Sequence, residues 1–109
     1  MQDNEYNQLV EETFARIEDE IDALQVELDI DVSGSMLRIE FQDKSEIIIS
    51  SQISAHEIWI AAKSGGYHLS KVSDRDWHCI SSNEELSTLL SRLITEQSGT
   101  TVELSLIHI

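Results

Sequence analysis

Val26-Glu27-Leu28-Asp29-Ile30-Asp31-Val32-Ser33 is the stretch on which the fold turns. Val26, Leu28, Ile30 and Val32 alternate with Glu27, Asp29 and Asp31. A period of two is that of a half-buried strand, here with an acidic outer face. Acids are poor strand formers, and same-face carboxylates two residues apart repel each other. The residues just before it follow another rule. Tyr6, Val10, Phe14, Ile17, Ile21 and Leu24 recur three or four apart. At 100° per residue they fall within a sector of about 80°, which predicts an amphipathic helix over 4–24 with Asp3 or Asn4 as its cap.

Downstream the period of two persists. Ser33-Gly34-Ser35 is a turn, and Leu37, Ile39 and Phe41 then point one way while Arg38 and Glu40 point the other. After Gln42-Asp43-Lys44-Ser45 a third strand runs from Glu46 to Gln52, with Ile47 and Ile49 inward. A fourth runs from Glu57 to Ala62, with Ile58 and Ile60 inward and Trp59 outward. Lys63-Ser64-Gly65-Gly66 is read as a turn, Tyr67 to Lys71 as a fifth strand and Trp77 to Ile80 as a short sixth, after the charged loop Asp74-Arg75-Asp76. Ser82 and Glu85 have the spacing of a capping box. Leu86, Leu89, Leu90, Leu93 and Ile94 follow on one helical face, and Ser98-Gly99 ends that helix. Val102, Leu104 and Leu106 alternate in a tail expected to cover the core. Helix, consecutive strands and helix, joined by hairpin-length turns, make an α+β fold. The expectation is a two-layer sandwich over residues 1–109: an antiparallel sheet of five to six strands with the N- and C-terminal helices packed on one face.

Composition narrows the function classes. The chain has 109 residues, with 7 Lys and Arg against 21 Asp and Glu, for a net charge of −14. A nucleic-acid ligand needs a basic footprint, and anionic membrane surfaces repel this charge. No apolar run reaches the length of a membrane span, and the polar, acidic N-terminus has no signal or transit character. Cys79 is the only cysteine, which excludes an internal disulfide framework and a Cys-rich metal site. A reducing cytoplasm is the expected compartment. His56, His68, His78 and His108 have no metal-ligand spacing. No nucleophile elbow, phosphate loop or dinucleotide fingerprint is present, so no enzyme activity is expected.

The charge is concentrated. Residues 1–31 carry eleven acids and one base, Arg16. On the helical wheel Glu11, Glu18 and Asp22 fall at about 20°, 0° and 40°, and Glu12 and Asp19 at about 120° and 100°, opposite an apolar stripe near 280°. Such a face is either plain solvated surface or a site for cations or a basic protein. Carboxylate oxygens are hard ligands that suit Fe³⁺, Fe²⁺, Mn²⁺, Ca²⁺ or Mg²⁺. Exposed and flexible, they bind weakly and with little selectivity. Asp19, Glu20 and Asp22 also lie at the negative end of the helix dipole, where acids are unfavourable.

The helix–strands–helix order, the acidic first helix running into Asp29-Ile30-Asp31, and the segment Ile58-Trp59-Ile60-Ala61-Ala62-Lys63-Ser64-Gly65-Gly66-Tyr67-His68 are similar to the frataxin family, its bacterial members above all. The similarity extends from about residue 3 to residue 103. It implies a monomeric iron-binding protein of iron–sulfur cluster assembly. The ridge it implies is Glu11, Glu12, Glu18, Asp19, Asp22, Asp29 and Asp31, weakly binding Fe²⁺ or Fe³⁺. Glu18, Asp19 and Asp22 would also dock on a basic patch of the cysteine desulfurase, with Trp59 and Gln52 on the sheet face contacting the desulfurase–scaffold assembly. The implied role is an iron-responsive regulator. An iron carrier delivering Fe²⁺ to the scaffold, or a metal-independent acidic adaptor for a basic protein surface, are the alternatives. Ala23 stands where the family carries an acid, and Ser50-Ser51-Gln52 where it carries a basic motif.

Overall fold

The computed structural model describes residues 1–71 and 77–105. Helix α1 is Asp3–Asp22. It is followed by the strands β1 (Asp29–Ser33), β2 (Met36–Glu40), β3 (Glu46–Gln52), β4 (Glu57–Ala62), β5 (Gly65–Lys71), β6 (Trp77–Cys79) and β7 (Glu84–Glu85), and helix α2 is Leu86–Ser98. The strands lie in the sheet in chain order, each antiparallel to the next. That is the order of an up-and-down meander, in which each strand pairs with the next along the chain.

Alternation divides the sheet into two faces. Leu37, Ile39, Ile47, Ile49, Ile58, Ile60, Leu69, Trp77 and Cys79 are buried on one side. There they share a single core cluster with Tyr6, Val10, Phe14, Ile17 and Ile21 of α1 and Leu86, Leu89, Leu90, Leu93 and Ile94 of α2. Both helices therefore cover the same face, as the periodicities require. Polar links fix their positions. The Tyr6 hydroxyl donates to Glu57 O at 2.6 Å and accepts from Gln52 N at 2.8 Å, which ties the start of α1 to the β3–β4 hairpin. Trp77 Nε1 donates to the buried Thr13 Oγ1 at 3.0 Å. Gly99 ends α2 at φ 75°, a left-handed conformation that glycine adopts without Cβ strain, and its N–H closes onto Thr95 O.

The structure corrects several expectations. Among the described residues the sheet has seven strands, not five or six. The seventh comes from the supposed capping box. Glu84 and Glu85 pair with Cys79 and His78, and α2 begins after them with no side-chain cap. The physical reason lies in the two carboxylates. Glu84 is held by Arg92 through two bonds of 2.9 Å, and Glu85 meets His78 Nδ1 at 3.1 Å. Cross-strand and strand-to-helix partners thus outcompete the local cap. At the other end α1 starts from Gln2, again without a side-chain cap. Asp3 is engaged instead by His56 Nε2 at 2.8 Å.

The first strand begins at Asp29, not Val26. Its partner β2 stops at Glu40, because Phe41 N turns back to Ser45 O. Leu24, Val26 and Leu28 keep their alternation and pack partly buried against the core without a strand to pair with. Gly65 and Gly66 lie in β5, opposite Ala62 and Ala61, so the turn is Lys63-Ser64 alone. The sixth strand ends at Cys79, one residue short of Ile80. The tail is extended and not a strand. Val102 and Leu104 are buried, and Val102 N, Leu104 N and Ser105 N donate to Thr95 Oγ1, Ser91 Oγ and Glu20 Oε1. The Asp74-Arg75-Asp76 loop and Leu106 lie outside the described residues.

Candidate functional site

Six core positions of α1 (Tyr6, Val10, Thr13, Phe14, Ile17 and Ile21) are buried, and this fixes what the rest of the helix shows to solvent. Glu11, Glu12, Glu18, Asp19 and Asp22 are all exposed. Among the described residues, Glu11, Glu18, Asp19, Asp22 and Asp29 take part in no ion pair. Glu12 accepts only a 3.3 Å bond from Gln8. Glu20 is different: it is partly buried and holds the tail at Ser105 N. The acids on the outer side of α1 are therefore left without an ion pair, while three of the chain's seven Lys and Arg are paired elsewhere. Arg92 goes to Glu84 and Glu96, Arg38 to Glu46, and Lys63 to Asp43.

Asp29 and Asp31 sit on β1, an edge strand, both exposed. Asp29 pairs with Glu40, which in turn pairs with Glu46, so three carboxylates share a row. Asp31 lies opposite Arg38, 3.9 Å from its guanidinium, and is partly compensated. Arg38 is bound more closely by Glu46, at 2.7 Å, and these acids raise its pKa further above the usual arginine range.

The uncovered face of the sheet carries the second group of predicted residues. Register places Met36, Ser50, Trp59 and His68 in one row across β2 to β5. Trp59 is 36% exposed and Met36 44%. The Trp59 indole stacks on the His68 imidazole, centroids 4.2 Å apart and planes 7° from parallel. Its Nε1 donates to Glu57 Oε1 at 2.8 Å. Stack and hydrogen bond together hold the indole in one orientation, with Ser50 on the neighbouring strand too small to cover it.

A family model described as a frataxin-like domain matches residues 1–100. The chain belongs to the frataxin-like family. Among its curated relatives, the iron-sulfur cluster assembly protein CyaY of Photobacterium profundum is 38% identical over 105 residues, covering 96% of this chain and 99% of that protein. The protein of the same name from Vibrio cholerae is 42% identical over 92 residues, covering 84% and 88%. A solved frataxin from Psychromonas ingrahamii superposes with a TM-score of 0.88 at 32% identity, covering 96% of this chain and 99% of that one.

In this frataxin-like domain Gln52 ends β3, with its side chain in the row that runs Gln52, Glu57, Ser70, His78 and Glu85. Its Nε2 approaches Ser50 Oγ at 3.4 Å, so Gln52 lies on the same face as Trp59. The sheet-face pair and the helix acids form two separate surfaces. Among the described residues no three His, Cys, Asp or Glu side chains gather closely enough to hold an ion. Neighbouring ridge acids such as Glu18 and Asp22, four apart on the helix, can share a cation two at a time without enclosing it. His68 and Glu57, which fix Trp59, were missed by sequence reasoning. The available signal was the alternation that puts Glu57, Trp59 and Ala61 on one face; the cross-strand partner His68 needed the register. Cys79 is buried, its thiol 3.3 Å from Ser81 Oγ, as befits a packing residue. Among the described residues no helix is long and apolar enough to cross a membrane.

Proposed function

We propose that this chain acts in iron–sulfur cluster assembly as an iron-responsive regulator of a cysteine desulfurase–scaffold complex, working from the bacterial cytoplasm as a monomer of one domain and without enzymatic activity of its own. One observation carries the reading: the carboxylates of Glu11, Glu18, Asp19, Asp22 and Asp29 find no cation within the described residues of their own chain. A surface of that kind is relieved by metal ions or by a basic partner. The names borne by its relatives point to the pathway.

Iron is here an effector or cargo at the surface. Glu11, Glu12, Glu18, Asp19, Asp22, Asp29 and Asp31 supply hard oxygen ligands for Fe²⁺ or Fe³⁺, and other divalent cations compete because nothing imposes geometry. Glu18, Asp19 and Asp22 meet the basic patch of the desulfurase, and Trp59 with Gln52 forms the contact of the sheet face with the assembly. A rigidly held aromatic on a flat face with small neighbours makes an interface anchor.

Charge reversal at Glu18, Asp19 and Asp22 tests the reading. The variant loses desulfurase binding, and the unaltered chain binds with a steep salt dependence. Anaerobic titration with Fe²⁺ broadens backbone NMR signals along residues 11–31. A chain that never binds desulfurase ends the regulatory reading. If the reversal abolishes iron binding but spares the desulfurase, the ridge is a metal surface only.

A further inference from the structure

Among the described residues the outer edge of β1 has no partner. β1 is the terminal strand and pairs on one side only, with β2. In an antiparallel pair alternate residues turn their N–H and C=O away from the partner, so β1 offers a row of free backbone groups. No other backbone or side-chain hydrogen bond among the described residues reaches the backbone of residues 29–33. Proteins commonly blunt such an edge by shortness, charged side chains (lysine above all), proline, a bulge or a covering segment; here the charges are two carboxylates, which repel a like edge and attract a basic one. From Asp29 to Ser33 there is no lysine or proline, the register with β2 is unbroken, and only Ile30 is even partly buried.

The side chains beside this edge differ by face. On the uncovered face stand Asp29 and Asp31, with Glu40 and Glu46 behind Asp29 in register, and behind Asp31 the cation Arg38, which Glu46 holds at 2.7 Å. On the helix side stand half-buried Ile30 and Val32, which is 42% exposed. A strand laid along the edge would place alternate side chains against carboxylates and against aliphatic carbon. We propose that the edge of β1 accepts an extended basic segment of a partner protein, in which Lys or Arg alternates with β-branched apolar residues and whose backbone adds an eighth strand to the sheet. This rests on reading the acidic surface as a protein-docking surface, and adds how the docking is made. Charge complementarity selects the occupant. A second copy pairing antiparallel through β1 would set Asp31 against Asp31, or Asp29 against Asp31, according to register, a destabilising like-charge arrangement either way.

Two short synthetic peptides of one sequence, lysine alternating with isoleucine or valine, test it on the isotopically labelled full chain. Each carries backbone N-methyl groups on one of the two alternate sets of residues, and the unmethylated parent is the reference. Methylation leaves the side chains and their charge in place but removes the N–H donors of that set. The parent peptide slows amide exchange at alternate residues of β1. One methylated peptide binds about tenfold more weakly or worse, having lost several backbone bonds, and the other binds like the parent. Asp29→Asn combined with Asp31→Asn weakens the parent about fivefold. Equal binding by the two methylated peptides, shifts confined to α1, no binding of the parent, or β1 protection that rises with protein concentration in the absence of peptide would each overturn strand addition. The ridge reading fails separately, on loss of desulfurase binding by the unaltered chain.

Discussion

Tyr6 is completely buried and yet keeps its hydroxyl, because two backbone groups at the mouth of the β3–β4 hairpin use it. Burial pushes its pKa above the usual tyrosine value, so it stays a neutral donor and acceptor throughout the working range. Removing the hydroxyl strands a carbonyl and an N–H in the interior. Tyr6→Phe should cost about 1–3 kcal/mol in urea unfolding. Glu84 is the corresponding case among the acids. The Arg92 guanidinium holds its carboxyl below the usual glutamate range, while Arg92 also lies 5.7 Å over the Tyr67 ring. A depressed carboxylate contributes stability above its unfolded pKa and loses it as pH falls through the folded value. Glu84→Gln should therefore be less stable than the parent by about 1–2 kcal/mol at pH 7. The gap should close on acidification below the normal glutamate range, as paired urea titrations at neutral and acidic pH would show.

At the scale of the element, α1 spends helix stability on charge. Its last turn has no basic residue, and Asp19 and Asp22 lie against the negative end of its dipole. Asp22→Lys should raise the midpoint of urea unfolding by the equivalent of about 0.5 kcal/mol. On the proposed reading the same change weakens Fe²⁺ and desulfurase binding, a trade that a merely solvated face would not display. The two-residue β7 makes the opposite point. Glutamates that sit well in a helical first turn are drawn into the sheet by Arg92 and His78, so partners eight and seven residues away on neighbouring elements override local preference.

For the whole molecule, a net charge of −14 and the absence of proline both work against the folded state. Like charges repel in the compact chain, and loops without proline lose more conformational freedom on folding. Modest stability is expected, rising with salt by screening and further with millimolar Mg²⁺ or Ca²⁺ by selective binding to the native ridge. Thermal melts across ionic strength, repeated at matched ionic strength with divalent cations, would check it; a high midpoint insensitive to both would contradict the account. The sequence by itself determined the two layers, the inward face of β2 to β4 and the outward acids of α1. Periodicity alone fixes those, because burying one face of each helix or strand leaves no choice for the other. Only the tertiary structure decided that Glu84 and Glu85 are strand, that Glu20 is spent on the tail while Glu18 and Asp22 stay free, that His68 and Glu57 clamp Trp59, and that β1 keeps an open edge. Each of these depends on register and packing, whether the residues that meet are two apart, as Glu57 and Trp59 are, or 85 apart, as Glu20 and Ser105 are, and a local pattern holds no record of such meetings.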